Sequence, residues 1–303
     1  MTGYNQGQSA RKALKILKPT LLALIIGLSP CAASGQPFDP GLELMMKLIK
    51  ENKAPEMPKE RIILKNDALF CTGDSSIAAI NNAAAELMQK GEWEKAAEAL
   101  EDAITKSALF FPFRFNLGMC YIHLDQLKRA LLHLEKVVGV VPEYYETYIQ
   151  IAYIFQRWQQ DTEAIRYYRE ALRKNNRNID TLVMIGDIFY QRHQIEMAKK
   201  YYDASLKIDH RFANGILGLA KIHFRRGEFH KAIILFKSID ISKPYDKSYH
   251  YYYAESAFKL RDYRAASEQY ETLLGFKNDK FFLTNSFDLI RHKLNLSKRF
   301  VER

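Results

Sequence analysis

Eight histidines, 35 acidic residues and three cysteines are the groups of this 303-residue chain that metal or acid–base chemistry would draw on. Such chemistry needs several of them converging at set spacings. His123, His133, His193, His210, His223, His230, His250 and His292 are scattered. His223 and His230 fall on different helices, so the histidines read as surface and packing residues. Acidic pairs such as Glu101-Asp102 fall on faces expected to be solvated. The chain contains no G-x-x-x-x-G-K-[ST], H-E-x-x-H, G-x-S-x-G or C-x-x-C. The expectation is a protein that is not an enzyme, with no catalytic residue, no metal site and no cofactor. Cys31 belongs to an N-terminal targeting segment. Cys71 and Cys120 are expected as free buried thiols, a bridge between them being the alternative.

Since no constellation does chemistry, function must reside in the elements that shape a surface, and these announce themselves by a period. Ala96, Ala130, Ala164, Ala198, Ala232 and Ala266 recur every 34 residues. A second small series, Ala84, Gly118, Ala152, Gly186, Ala220 and Ala254, keeps the same step. Four residues after each recurring alanine comes a bulky side chain: Leu100, Leu134, Tyr168, Tyr202, Phe236 and Tyr270. Spacings of three and four place these residues on one stripe of a helix. Small residues let two helix backbones approach, and the large ones fill the space beside them. Between the helices, Gly91, Asp125, Gln159, His193, Gly227 and Arg261 share one turn phase. Proline stops a second helix at Pro142 and Pro244. A period of this length is that of a stacked helix–turn–helix unit.

Leu117-Gly118, Tyr121, Ala130, Leu134 and Pro142 carry the pattern best, and on them the chain resembles the tetratricopeptide repeat family. The resemblance implies an all-α fold: a right-handed α-solenoid of six 34-residue repeats at 77–110, 111–144, 145–178, 179–212, 213–246 and 247–280. Residues 36–76 are expected as a short helix near 41–52, a linker and an N-terminal cap. Residues 281–303 are expected as a C-terminal capping helix, because the end repeats of a stack need their apolar faces covered. The resemblance further implies a concave groove lined by the first helix of each repeat. The expected lining is Phe115, Met119, Ile122, Ile149, Tyr153, Arg157, Asp187, Tyr190, Leu217, Lys221, Phe224, Arg225, Tyr251, Phe258 and Lys259, with small and polar groups, mainly Asn81, Met88 and Gln89, in repeat one. Its aromatic strip suits a protein partner, packing between repeats being the alternative for some of these side chains. A clamp for a C-terminal carboxylate, used by chaperone-binding relatives, is not expected.

Residues 1–35 pair a basic start (Arg11, Lys12, Lys15, Lys18) with a short apolar run at 21–28 and the small residues Ala32, Ala33, Ser34 and Gly35. This is the composition of a secretory signal peptide. Leu28-Ser29-Pro30-Cys31 leaves a lipoprotein signal, with a lipid on Cys31, as the alternative. Net charge is +10, and loss of the four basic residues of 1–35 would leave +6. The charges are mixed along the helices, which disfavours nucleic acid as a partner. The expected function is that of an exported, non-catalytic scaffold or adaptor of the bacterial envelope. It would hold a partner's helix or extended peptide in the groove. A membrane-anchored lipoprotein assembly factor of the outer membrane is the alternative.

Overall fold

The computed structural model describes residues 61–73, 75–240, 247–276 and 286–302. The expected export segment 1–35 with Cys31, the helix expected near 41–52, Pro244 and residues 277–285 lie outside these. The fold is an all-α helical repeat with 13 helices among the described residues, preceded by one short β-hairpin. Two compact units divide the chain, Met1–Ile154 and Phe155–Arg303.

In the first unit, β1 (Arg61–Lys65) and β2 (Ala68–Thr72) pair antiparallel, with Ile63 opposite Phe70 and Leu64 opposite Leu69. The two-residue turn between them places Asn66 at φ 44° and Asp67 at φ 65°. Two residues in the left-handed region are what a tight hairpin turn demands, and Asn and Asp tolerate it. There follow α1 (Ser76–Gln89), α2 (Trp93–Lys106), α3 (Phe111–His123), α4 (Leu127–Val140) and α5 (Tyr145–Arg157), whose last three residues, from Phe155, belong to the second unit. The Ser75 side chain accepts from Ala78 N–H and starts α1. Successive helices α1 to α4 pack on one another, α1 also touches α3, and β2 lies on both α1 and α3.

The second unit holds α6 (Asp161–Lys174), α7 (Ile179–Gln191), α8 (Ile195–Ile208), α9 (Ala213–Arg225), α10 (Phe229–Ser238), α11 (Lys247–Lys259), α12 (Tyr263–Leu274) and α13 (Phe287–Val301). Each helix packs on the next, and the alternate helices α7, α9 and α11 also touch in series. That series forms an inner layer of first helices. The last helix, α13, lies against α12.

The recurring small residues are where close packing needs them. All six alanines from Ala96 to Ala266 are 0% exposed. Their bulky companions Leu100, Leu134, Tyr202, Phe236 and Tyr270 are equally sealed, and Tyr168 nearly so. Burial of each such side chain contributes about 1.5–3 kcal/mol. A methyl added at Gly118 would lie 2.8 Å from Leu134 Cγ, so only glycine fits that crossing.

The turns repeat as closely as the packing. Gly91, Asp125, Gln159, His193, Gly227 and Arg261 all have φ between 58° and 77°. After each, the next amide reaches back to close the helix end, as in Gln126 N–H to Tyr121 O (2.8 Å) and Gln194 N–H to Phe189 O (2.9 Å). One left-handed residue with these reaching bonds satisfies the orphan carbonyls of the helix and turns the chain into its partner helix. Cys71 and Cys120 are buried thiols with no disulfide between them, and burial pushes the Cys120 thiol up to about 12.

Candidate functional site

The inner layer of the second unit contains a cleft of about 340 Å3 lined by Gln156, Asp187, Tyr190, Gln191, Lys221, Ser248, Tyr251 and Tyr252. Its walls come from α7, α9 and α11 and from Gln156 on the last turn of α5. The 34-residue period brings them together. Asp187, Lys221 and Glu255 occupy one phase, and Gln156, Tyr190 and Phe224 another. α7 is set by Asn178, whose side chain accepts from Thr181 N–H (2.8 Å).

Charge is balanced on the floor of the cleft. Asp187 Oδ1 accepts from the Tyr202 hydroxyl (2.7 Å) and lies 3.8 Å from Lys221 Nζ. Tyr190 is framed by cations, with Lys221 Nζ 5.3 Å and Arg225 Cζ 4.9 Å from its ring centroid. Arg225 Nη1 donates to Tyr190 O (3.2 Å), so the guanidinium is pinned over the ring. Burial pushes the Tyr190 hydroxyl well above its ordinary value, with Tyr252 beside it adding to the shift. Burial and then the charge of Glu255 push Tyr251 up to about 12. Both hydroxyls therefore stay protonated at neutral pH. The cleft offers neutral donors, aromatic walls and one balanced ion pair, which is the chemistry of recognition.

The expected lining divides on inspection of burial. Asp187, Tyr190, Lys221 and Tyr251 line the cleft, and Arg225 stands exposed above it. Arg157 and Lys259 are exposed, Tyr153 is 37% exposed and Ile149 is half-buried. Phe224 and Phe258 are half-buried and packed on the core of the second unit. Phe224 sits edge-on to Phe229 and Tyr252, and Phe258 edge-on to Tyr263. Phe115, Met119, Ile122 and Leu217, expected on an open surface, are interior instead, at 0%, 3%, 7% and 7% exposure. Phe115 meets the Tyr144 ring at 5.5 Å. The aromatic strip is thus discontinuous, because packing within each unit covers part of it. Tyr252 and Tyr202 were not anticipated as site residues. Tyr252 follows Tyr251 by one position and so escapes a rule based on helical phase, and Tyr202 belongs to the core series.

Among the described residues no group of three or more His, Cys, Asp or Glu is placed to hold a metal ion. Among them, too, no helix is long and apolar enough to cross a membrane.

Comparison with known proteins agrees with this architecture. Family profiles described as tetratricopeptide repeat match residues 81–144 and 145–176, and one described as anaphase-promoting complex, cyclosome, subunit 3 matches residues 191–273. The chain is 28% identical over 116 residues to the protein CTR9 homolog of Arabidopsis thaliana, a match covering 37% of this chain and 10% of that protein. The match thus spans about a tenth of the length of that curated relative. Among solved structures it is similar to PilF of Pseudomonas aeruginosa, with 14% identity and a TM-score of 0.61, covering 72% of this chain and 97% of that one. It is also similar to PilW, described as a widely conserved type IV pilus biogenesis factor, with 17% identity and a TM-score of 0.58, covering 70% and 99%. At these identities the likeness is one of fold.

Proposed function

This chain is a tetratricopeptide repeat protein, and from that premise we propose that it is a non-catalytic scaffold holding a partner's helix or extended segment at the cleft of the second unit. Tetratricopeptide folds bind protein or peptide partners. The observation that carries the assignment to this place is the lining: Tyr190 and Tyr251, both half-buried, flank the Asp187–Lys221 pair in an open cleft. Aromatic side chains give large contact area with few rotors to freeze, and a central ion pair orients a polar ligand group. Arg225 extends the contact with a cation at the rim.

Tyr190→Ala combined with Tyr251→Ala tests the reading. Crosslinking and pulldown of the processed protein from its native envelope identify the partners. The double variant, checked for unchanged helical circular dichroism, binds them at least tenfold more weakly. A folded double variant that keeps every partner at full affinity overturns the proposal. Phe224 and Phe258 are left intact, because they pack on the core without lining the cleft.

The proposed setting is the bacterial envelope, after export. The basic flank, short apolar run and small residues of 1–35 support it. Leu28-Ser29-Pro30-Cys31 supports the second reading, a lipid-anchored assembly factor. Intact mass of the mature protein separates the two: cleavage near residue 35 leaves no Cys31, and a lipoprotein retains it with added acyl mass.

A further inference from the structure

The inner face of α1 and α3 in the first unit is engaged by a strand, and by an unusual set of bonds. Leu69 N–H donates to Asn116 Oδ1 (2.7 Å), and Asn116 Nδ2 donates back to Leu69 O (2.9 Å). Two residues on, Cys71 N–H donates to Asn82 Oδ1 and Asn82 Nδ2 donates to Cys71 O, both at 2.8 Å. Asn81 Nδ2 donates to Leu69 O (2.7 Å), while its Oδ1 accepts from Asn116 Nδ2 (3.0 Å). A carboxamide carries donor and acceptor side by side, as a peptide unit does. Asn116 and Asn82 therefore bond β2 at alternate residues, as a neighbouring strand would.

Such bonds read the backbone and are indifferent to side chains. Selectivity comes instead from burial: Ala68 and Leu69 are 0% exposed and Cys71 3%, whereas Phe70 between them is only partly covered. The seat therefore fits a small residue, an aliphatic one, any residue and a small one, in extended form. The hairpin itself is held from one side. β1 is mostly exposed, with Ile63 and Leu64 at 46% and 41%, and a two-stranded hairpin is marginal by itself.

We propose that the inner face of α1 and α3 is a strand-binding site whose resident ligand is the chain's own β2, and that an extended segment of another polypeptide with that side-chain pattern takes its place. This site is separate from the cleft of the second unit and goes beyond the function assigned there. Exchange of one extended backbone for another returns the same main-chain bonds to the same asparagines. It requires local opening of the hairpin and leaves the helices folded. The covalent continuity of β2 with α1 keeps the displaced hairpin tethered.

Two measurements on the full chain decide the matter. In the wild type, amide hydrogen exchange at Leu69 and Cys71 runs at least tenfold faster than at Ala85 and Met119, in the middle of α1 and α3. If those strand amides exchange no faster than the helices, β2 never leaves alone and the proposal fails. In the second, a labelled peptide of residues 61–72, carrying Cys71→Ser, is titrated by fluorescence anisotropy. Leu69→Asp in the full chain expels β2 from its apolar seat and leaves the asparagines intact. The peptide binds this variant at least tenfold more tightly than the wild type. Adding Asn116→Ala weakens that binding about tenfold. Absence of binding to a folded Leu69→Asp chain, equal binding to both chains, or indifference to Asn116→Ala overturns the proposal. Should Leu69→Asp not fold, the exchange rates of the wild type decide alone.

Discussion

Six residues of four polar or charged types and glycine perform one backbone task, and the cost of that task differs among them. Gly91 and Gly227 hold φ 77° and 75° without strain, whereas Asp125, Gln159, His193 and Arg261 hold φ 58–62° against their Cβ. For an L-residue that region costs roughly 1–2 kcal/mol. A methyl built on Gly227 has nothing within 4 Å, so Gly227→Ala isolates the backbone contribution. It is expected to destabilise by about 1 kcal/mol. His193→Gly works the other way, with a gain of about 0.5 kcal/mol after the extra freedom of glycine in the unfolded chain is deducted. Urea midpoints at unchanged slope check both. If Gly227→Ala is neutral, the left-handed turn is not a constraint. The period marks all six positions in the sequence, yet a glutamine or an arginine by itself gives no hint of a left-handed residue. Only its phase with Gly91 and Gly227 does.

At the scale of the element, Tyr202 on α8 couples the core to the cleft. Its ring lies against the glycines of two neighbouring helices. Methyls built at Gly186 on α7 and Gly218 on α9 would come within 2.7 Å and 2.5 Å of it. Its hydroxyl meanwhile holds Asp187. Gly218→Ala therefore has to push out a fully buried ring that is fastened at its far end. The expected cost is about 1–3 kcal/mol, with weaker partner binding as well, because Asp187 loses its anchor. A thermal melt together with the crosslinking assay checks this, and unchanged values for both rule out the coupling. Helix order and packing follow from the alanine and glycine series, because stacking needs those small residues at those steps. The hairpin was not anticipated. Its signal is only Asn66-Asp67 between two short apolar runs, and the 34-residue period does not reach that far. The groove rule names Asp187, Tyr190, Lys221 and Tyr251, which line the cleft, and also Phe115, Met119, Ile122 and Leu217, which are interior. Helical phase fixes which face a residue occupies, and what lies over that face depends on contacts distant in sequence, such as Phe115 with Tyr144.

At the scale of the whole molecule, the design problem of a repeat stack is its ends, where a hairpin's apolar face meets no further copy. Each unit has an element seated on its helices: β2 on the inner face of α1 and α3 in the first, and α13 on α12, the last repeat helix, in the second. The second of these is fastened by polar bonds as well as apolar area. Ile290 and Leu294 are 2% and 8% exposed, and Phe300 stacks on Tyr263 at 4.5 Å. Lys293 Nζ donates to both oxygens of Glu255, at 2.7 and 2.8 Å, and the Tyr270 hydroxyl donates to Oε1 at 2.7 Å. Glu255 is only 5% exposed, so these partners take the place of water around its carboxylate. Lys293→Met keeps much of the apolar stem and removes the cation, which leaves a buried carboxylate with one hydroxyl donor. Loss of one partner from a buried pair costs about 3–5 kcal/mol. Because Lys293 keeps some solvent access (22%), the lower end is expected, about 3 kcal/mol. Adding Glu255→Gln to Lys293→Met removes the stranded charge and should recover about 2 kcal/mol of that loss. A double variant no more stable than the single one, measured by urea titration, would show that the loss at Lys293 does not come from a stranded Glu255 carboxylate. Recovery would show that it does, so that the pair offsets the burial of its own charges while Ile290, Leu294 and Phe300 supply the apolar contact that seats α13.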